Sequence, residues 1–282
     1  MTRQSERAAT FRALHERKGA FIIPNPWDAG TARLLAGLGF EALATTSAGH
    51  AFSMGRRDNT VNREETLAHA ALLVAATDLP VSADLENGFG DSPETVAETV
   101  RLAAATGIVG GSIEDATGRS PGHPAPVYEL AHAADRVRAA AEAARALPFP
   151  FMLTARAENY LLGRPDLADT IARLEAYQEA GADVLYAPGL TRRDEIAAVV
   201  RSVDRPVNVV MGLQGVQLSL GDLDTLGVKR VSVGSALARA ALGAFLRAGR
   251  EMREHGTFTF AEQAVGYAQV SALFDPEDHT IE

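Results

Sequence analysis

The chain has 282 residues, 46% apolar and only 6% aromatic, which suits one large core of Val, Ile, Leu and Ala packed between helices and a sheet. There is no cysteine, so disulfides, thiolate metal sites and a cysteine nucleophile or acid are excluded. A net charge of −9 argues against nucleic acid or an anionic membrane as a partner, and no uncharged apolar run approaches the ~20 residues of a membrane span. The opening MTRQSERAAT is polar and holds no signal-peptide core, so a cytoplasmic globular protein is expected.

One unit recurs along the chain: a short β-branched run, a loop rich in Gly, Pro and polar residues, then an Ala/Leu/Arg/Glu helix. Strands are predicted at 20–26, 41–47, 80–85, 107–113, 151–156, 183–187, 206–211 and 229–233. Eight strands alternating with helices predict an α/β fold, a (β/α)8 TIM-type barrel of parallel strands. Ser92-Pro93-Glu94 reads as the start of a helix, with Ser92 as N-cap and Pro93 in the first turn. Gly107, Gly181 and Gly227 read as helix stops. The helix after the seventh strand is the weakest, because LQGVQLSLGDLDTLG carries three glycines. Residues 235–255 predict a long helix, and 258–274 a further helix beyond the barrel, with Phe258, Phe260, Tyr267 and Phe274 in need of a surface to cover. The whole of 1–282 reads as one domain, the barrel about 20–256 and the helical tail about 257–282.

In such barrels the chemistry sits at the carboxyl ends of the strands. Strand three ends in Asp84-Leu85-Glu86-Asn87-Gly88, strand four in Glu114-Asp115, and the loop after strand two carries Arg56-Arg57-Asp58. Asp58, Asp84, Glu86 and Glu114 are therefore expected around one rim, where they repel unless protons or a cation sit among them. An all-oxygen set suits Mg²⁺ or Mn²⁺, with Asp84 as direct ligand and the others acting through water. Asp115 reads as structural. Arg156 at the end of strand five offers a planar fork for a substrate carboxylate. Thr45, Thr46, Ser47 and Ala48 at the end of strand two read as a cradle of hydroxyls and backbone N–H groups. Asn208, polar in a buried strand, needs a ligand or backbone partner. His15, His69, His132, His255 and His279 read as solvated; His50 lies near the strand-two loop. His123, in the Gly/Pro-rich GRSPGHPAP, is placed to serve from a lid.

GRRD at 55–58, ADLENGFG at 83–90, SIEDA at 112–116 and ARAEN at 155–159, with PNPWDAGTARL at 24–34, together resemble the isocitrate lyase / phosphoenolpyruvate mutase superfamily. The resemblance implies a Mg²⁺-dependent barrel that handles pyruvate-like acids through an enolate-like intermediate. It assigns Asp84 to the metal, with Asp58, Glu86 and Glu114 in support. Arg156 becomes the substrate clamp, Thr45 to Ala48 the cradle, and Asn208 a substrate contact. It also implies a homodimer or homotetramer that exchanges its C-terminal helix. The chain departs from the lyases in having no cysteine in its lid stretch and Ala187-Pro188-Gly189 where they carry a glutamate. It departs from the mutases in lacking the lid lysine and asparagine, Arg119 being the main basic residue there. The function expected is cleavage of a C–C bond in a small 2-oxo acid or 2-hydroxy di- or tricarboxylate, with His123 or metal-bound water as proton donor. The alternatives are C–P or phosphoryl chemistry on phosphonopyruvate-type substrates, and an oxo-acid binder without turnover.

Overall fold

Near-continuous apolar strands must be covered on both faces, and helices returning between parallel strands supply the outer cover. The computed structural model describes residues 2–117 and 126–274. Its strands are β1 (Phe21–Ile23), β2 (Leu43–Ala44), β3 (Val81–Asp84), β4 (Gly110–Glu114), β5 (Met152–Arg156), β6 (Val184–Tyr186), β7 (Val207–Val210) and β8 (Arg230–Ser232). All pairings are parallel, in the order β1-β8-β7-β6-β5-β4-β3-β2. The Ala44 N–H donates to the Pro24 carbonyl at 3.0 Å, bringing the remaining edges together into a nearly closed barrel. All eight predicted strands are present, each shorter than expected, and β4 runs one residue past its predicted end to Glu114.

The punctuation read from the sequence is seen in the backbone. Ser92 accepts from the Thr95 N–H and Pro93 opens the helix Pro93–Ala105. Gly181 ends Leu167–Ala180 at φ 107°, a left-handed stop that glycine adopts without penalty. The glycine-rich stretch after β7 leaves only the six-residue helix Leu220–Thr225. The long helix Ala236–His255 forms as expected. The single tail helix does not: Thr259–Gln263 is a 3₁₀ turn and Tyr267–Ala272 a separate short helix, divided at Gly266. Among the described residues no helix is long and apolar enough to cross a membrane.

A helix that precedes the barrel, Arg3–Glu16, stoppers its amino-terminal end. Phe11 is fully buried and joins Phe21, Ile23 and Val109 in a separate apolar cluster. Gly110 makes room for it, since a Cβ there would lie 2.9 Å from the Phe11 ring and 2.8 Å from the Met152 carbonyl. His15 lies in this stopper and His69 packs under the strand-two loop. Both are buried, correcting the expectation that they are solvated. His15 Nδ1 donates to the Phe11 carbonyl at 2.8 Å, and the ring stands edge-on to Phe11 and Phe21. Burial, then the nearby Arg230 charge, lowers its pKa from 6.5 to about 3, and burial lowers His69 to about 4. The folded state thus binds fewer protons than the unfolded chain between those values and pH 6.5. Stability is therefore present above that window and falls as pH drops through it, by at most on the order of 1.4 kcal/mol per pH unit for each group. Thermal melts from pH 7 to 4 should show this slope in the wild type and a shallower one in His15→Phe; equal slopes would remove His15 from the account.

Candidate active site

The period of two along a strand turns Ser82 with Asp84, Ser112 with Glu114, and Thr154 with Arg156 into the barrel. Asp84, Glu114 and Arg156 are the last residues of their strands, so their polar ends meet at its carboxyl-terminal mouth. The Arg156 guanidinium is at the centre. Its Nε donates to Glu158 Oε1 at 2.9 Å and its Nη1 to Asp84 Oδ1 at 2.9 Å, while Nη2 lies 3.2 Å from Glu114 Oε2. Tyr186 puts its ring 5.2 Å from the guanidinium carbon, within cation–π range.

Burial works against the Arg156 charge, but Glu158, Glu114 and Asp84 outweigh it and hold its pKa well above the ordinary arginine value. The acids pull the other way. Burial drives the Glu114 carboxyl well above its usual range; Arg156 opposes this, and Glu158, Asp84 and Glu86 add to it. Burial raises Glu158 to about 6 against the pull of Arg156. Asp58 stays exposed on the rim; the protein mass around it, then the Asp84 charge, raise its carboxyl above the ordinary value, while the Ser47 hydroxyl lowers it. One guanidinium thus faces an excess of carboxylates.

The strand-two segment positions Asp84 from the other side. Thr45 Oγ1 accepts the Asp84 N–H at 2.8 Å, and the Ser47 N–H donates to Asp84 Oδ2 at 3.3 Å. Thr46 caps the short helix Ser47–Ser53 through the Gly49 N–H. Gly49 has no room for a side chain, since a Cβ would meet Thr46 Cγ2 at 2.6 Å and Trp27 Cβ at 3.2 Å. Glu86 and Phe89 both adopt left-handed backbone, φ 48° and 61°, a conformation that costs a non-glycine residue on the order of 1 kcal/mol. The Glu86 side chain is buried, and its charge acts on Glu114.

Asp115, by contrast, points away from the mouth into a buried network. It accepts from the Glu158 N–H at 2.8 Å, Arg173 Nη1 at 3.0 Å and the Tyr177 hydroxyl at 2.5 Å. Arg136, buried against Tyr128, donates to the Glu114, Asn87 and Gly90 carbonyls, so it fixes the turns after β3 and β4 together.

A cavity of about 440 Å³ runs from Gly234 and Arg239 at the mouth past Asp58, Asp84 and Arg156 to Asn208 and Arg230 below. Thr45, Thr46, Ser47 and Ala48 line one wall. The structure thus gathers Asp58, Asp84, Arg156, Asn208 and the strand-two segment around one space, with Glu86 and Glu114 behind. Asn208 finds its partners in side chains rather than backbone: its Nδ2 donates to Ser232 Oγ at 3.0 Å and its Oδ1 accepts from Arg230 Nε at 2.8 Å. His123 and Arg119 lie outside the described residues. Among the described residues no three His, Cys, Asp or Glu side chains are arranged to hold a metal ion, because the acids turn toward Arg156. Sequence reading missed Tyr186, Ser232, Arg230 and Arg239. The inward alternation of Arg230 and Ser232 along β8 was the signal available for two of them.

The family model for phosphoenolpyruvate phosphomutase matches residues 11–253. A solved structure, a candidate lyase/mutase of Burkholderia cenocepacia J2315, is 67% identical and superposes with a TM-score of 0.95 over 99% of both chains. An uncharacterised protein of Mycobacterium tuberculosis is 33% identical over 96% of this chain and 98% of its own length. The 2,3-dimethylmalate lyase of Eubacterium barkeri is 29% identical over 78% and 77%. The motifs at the four strand ends and these matches agree: the chain belongs to the phosphoenolpyruvate phosphomutase family, an enzyme family of the isocitrate lyase / phosphoenolpyruvate mutase superfamily.

Proposed function

We propose that this enzyme cleaves a C–C bond in a small 2-oxo acid or 2-hydroxy di- or tricarboxylate with the help of Mg²⁺. The observation that carries the reading is the ring of Asp84, Glu114 and Glu158 around Arg156 at the barrel mouth, with Asp84 Oδ2 held by the Ser47 amide. The donor set is all hard oxygen, with several carboxyl groups gathered on one guanidinium; burial first, then the charges of Glu158, Asp84 and Glu86, hold Glu114 well above its ordinary pKa. That fits a divalent cation taken directly by Asp84, with Asp58, Glu86 and Glu114 acting through its retained waters. When bound, such a cation supplies Lewis acidity toward a substrate carbonyl oxygen.

The chain's own groups do the rest. A guanidinium has five N–H donors, and three are engaged by the acids, so Arg156 keeps donors for a substrate carboxylate. Its fixed charge opposes the carboxylates and favours negative charge developing on the substrate. The Thr45 and Thr46 hydroxyls accept from the Asp84 and Gly49 amides, and the Ser47 N–H faces the Asp84 carboxylate. C–C cleavage is favoured by the likeness to a 2,3-dimethylmalate lyase. C–P chemistry is the second reading, favoured by the family model. NMR of oxaloacetate, 2-oxoglutarate, isocitrate, methylisocitrate and phosphonopyruvate, with and without Mg²⁺, separates them. A Mg²⁺-dependent 2-oxo acid product is expected; phosphate from phosphonopyruvate would favour the second reading; binding without product would leave an oxo-acid binder.

The same reading includes a homodimer or homotetramer that exchanges its C-terminal helix. Of the helix Ala236–His255 only Ala238 is buried, and Leu242, Phe245 and Leu246 form an exposed stripe, Phe245 at 74%. Burying such a stripe on a second copy stabilises by about 1.5–3 kcal/mol per large side chain. Phe245→Glu should therefore shift the assembly to monomer in analytical ultracentrifugation; an unchanged mass would remove this face from the interface.

A further inference from the structure

We propose that Arg230 is an anion-binding, specificity-determining residue at the floor of the cavity, and that with Asn208 and Ser232 it receives a second carboxylate of the substrate. The proposal rests on the oxo-acid reading above and adds the group that would choose among such acids.

Arg156 and Arg230 both line this cavity, and their surroundings are opposite. Arg156 at the mouth is ringed by three carboxylates. Arg230 is 5% exposed and, among the described residues, is paired with no carboxylate. Its bonds go to neutral groups: Nε to Asn208 Oδ1 at 2.8 Å and Nη2 to Thr154 Oγ1 at 2.9 Å, with His15 Nε2 at 3.5 Å from Nη1. A buried charge without a counter-charge is costly, and natural interiors place one there chiefly when a partner or ligand completes it. Burial accordingly lowers its pKa to about 10, with Tyr186 opposing.

Geometry sets the depth. Thr154, which Arg230 reaches, lies two residues before Arg156 on β5, about 6.6 Å down the strand. His15 marks the stoppered end below. The cavity is lined at both levels, by Asp84 and Arg156 above and by Asn208, Arg230 and Ser232 below. An acid held at the mouth by its oxo-carboxylate end therefore extends its other end toward Arg230. Because Arg230 only donates, Asn208 must turn its Oδ1 to it and present Nδ2, beside the Ser232 hydroxyl. That leaves donors of Arg230 and Asn208 facing the space, as a carboxylate needs.

The test compares acids of equal length that differ in one carboxylate: oxaloacetate against 2-oxobutyrate, and 2-oxoglutarate against 2-oxopentanoate. Calorimetric titrations with Mg²⁺ present would use the wild type, Arg230→Met and Arg230→Lys. The wild type is expected to prefer the diacid by on the order of 30-fold, the worth of a charge-assisted bond. Arg230→Met should abolish that preference while monoacid binding changes little, and Arg230→Lys should keep part of it. A wild type that binds monoacids but shows no diacid preference overturns the proposal and leaves the oxo-acid reading standing. So does an unchanged preference in Arg230→Met, or equal loss of both acids in both variants, which marks a structural residue. If no acid binds the wild type with Mg²⁺, both readings fall. The wild-type comparison needs no variant, so a misfolded Arg230→Met would not shield the proposal.

Discussion

Asp84→Asn should lower Mg²⁺-supported turnover by on the order of 10³-fold or more, since the change removes the one carboxylate assigned to the cation and several kcal/mol of charge stabilisation with it. The substitution keeps the side chain's shape. Thr45 still accepts the residue-84 N–H, while the single amide oxygen can serve either the Ser47 N–H or Arg156 Nη1 but not both. What is lost is charge: Arg156 Nη1, 2.9 Å from Asp84 Oδ1, keeps only Glu114 and Glu158 as ionic partners. Steady-state kinetics and a Mg²⁺ titration check the loss. Asp58→Asn, on the exposed rim, acts through water in this account and should cost only about 10- to 100-fold. Wild-type turnover in Asp84→Asn would overturn the assignment.

The largest effect on stability is expected at Asp115. Its carboxylate is 2% exposed and gathers the Glu158 amide, Arg173 and the Tyr177 hydroxyl. Arg173 also donates to the Tyr128 carbonyl and to Asp169, so one cluster ties the ends of β4 and β5 to the helix Leu167–Ala180. Asp115→Ala leaves a buried guanidinium and phenol short of a partner, a change that costs about 3–5 kcal/mol. Asp115→Asn, which can still accept from Tyr177, should cost less. Denaturant unfolding measures both; a loss under about 1 kcal/mol for Asp115→Ala would mean the network adds little beyond ordinary hydrogen bonding.

The barrel was legible because each strand is a short apolar run closed by Gly, Pro or acidic residues, and because those closing residues are the site. Asp84, Glu114 and Arg156 could be placed at the mouth from the rule that strand ends face it. Their pairing could not be placed, since which oxygen Arg156 meets depends on the register of β3, β4 and β5. The tail failed for a local reason: Gly266 interrupts a pattern whose apolar spacing alone suggests one helix. His15 was misread because RALHE looks like a solvated turn of helix; its burial comes from the barrel end it closes, a tertiary cause. Arg230 was hidden by Lys229 beside it. KR reads as a charged surface pair, yet the strand period sends the two side chains to opposite faces and only Arg230 inward.

Isothermal calorimetry of Mg²⁺ into the wild-type protein, alone and with oxaloacetate, tests most directly whether the acid ring at the mouth takes a cation on behalf of an oxo acid. One Mg²⁺ per chain is expected, bound more tightly when the acid is present, with the reciprocal gain in acid affinity that coupled binding requires, and no such binding in Asp84→Asn. Oxo-acid binding of equal strength with and without Mg²⁺, and no heat from Mg²⁺ itself, would contradict the account.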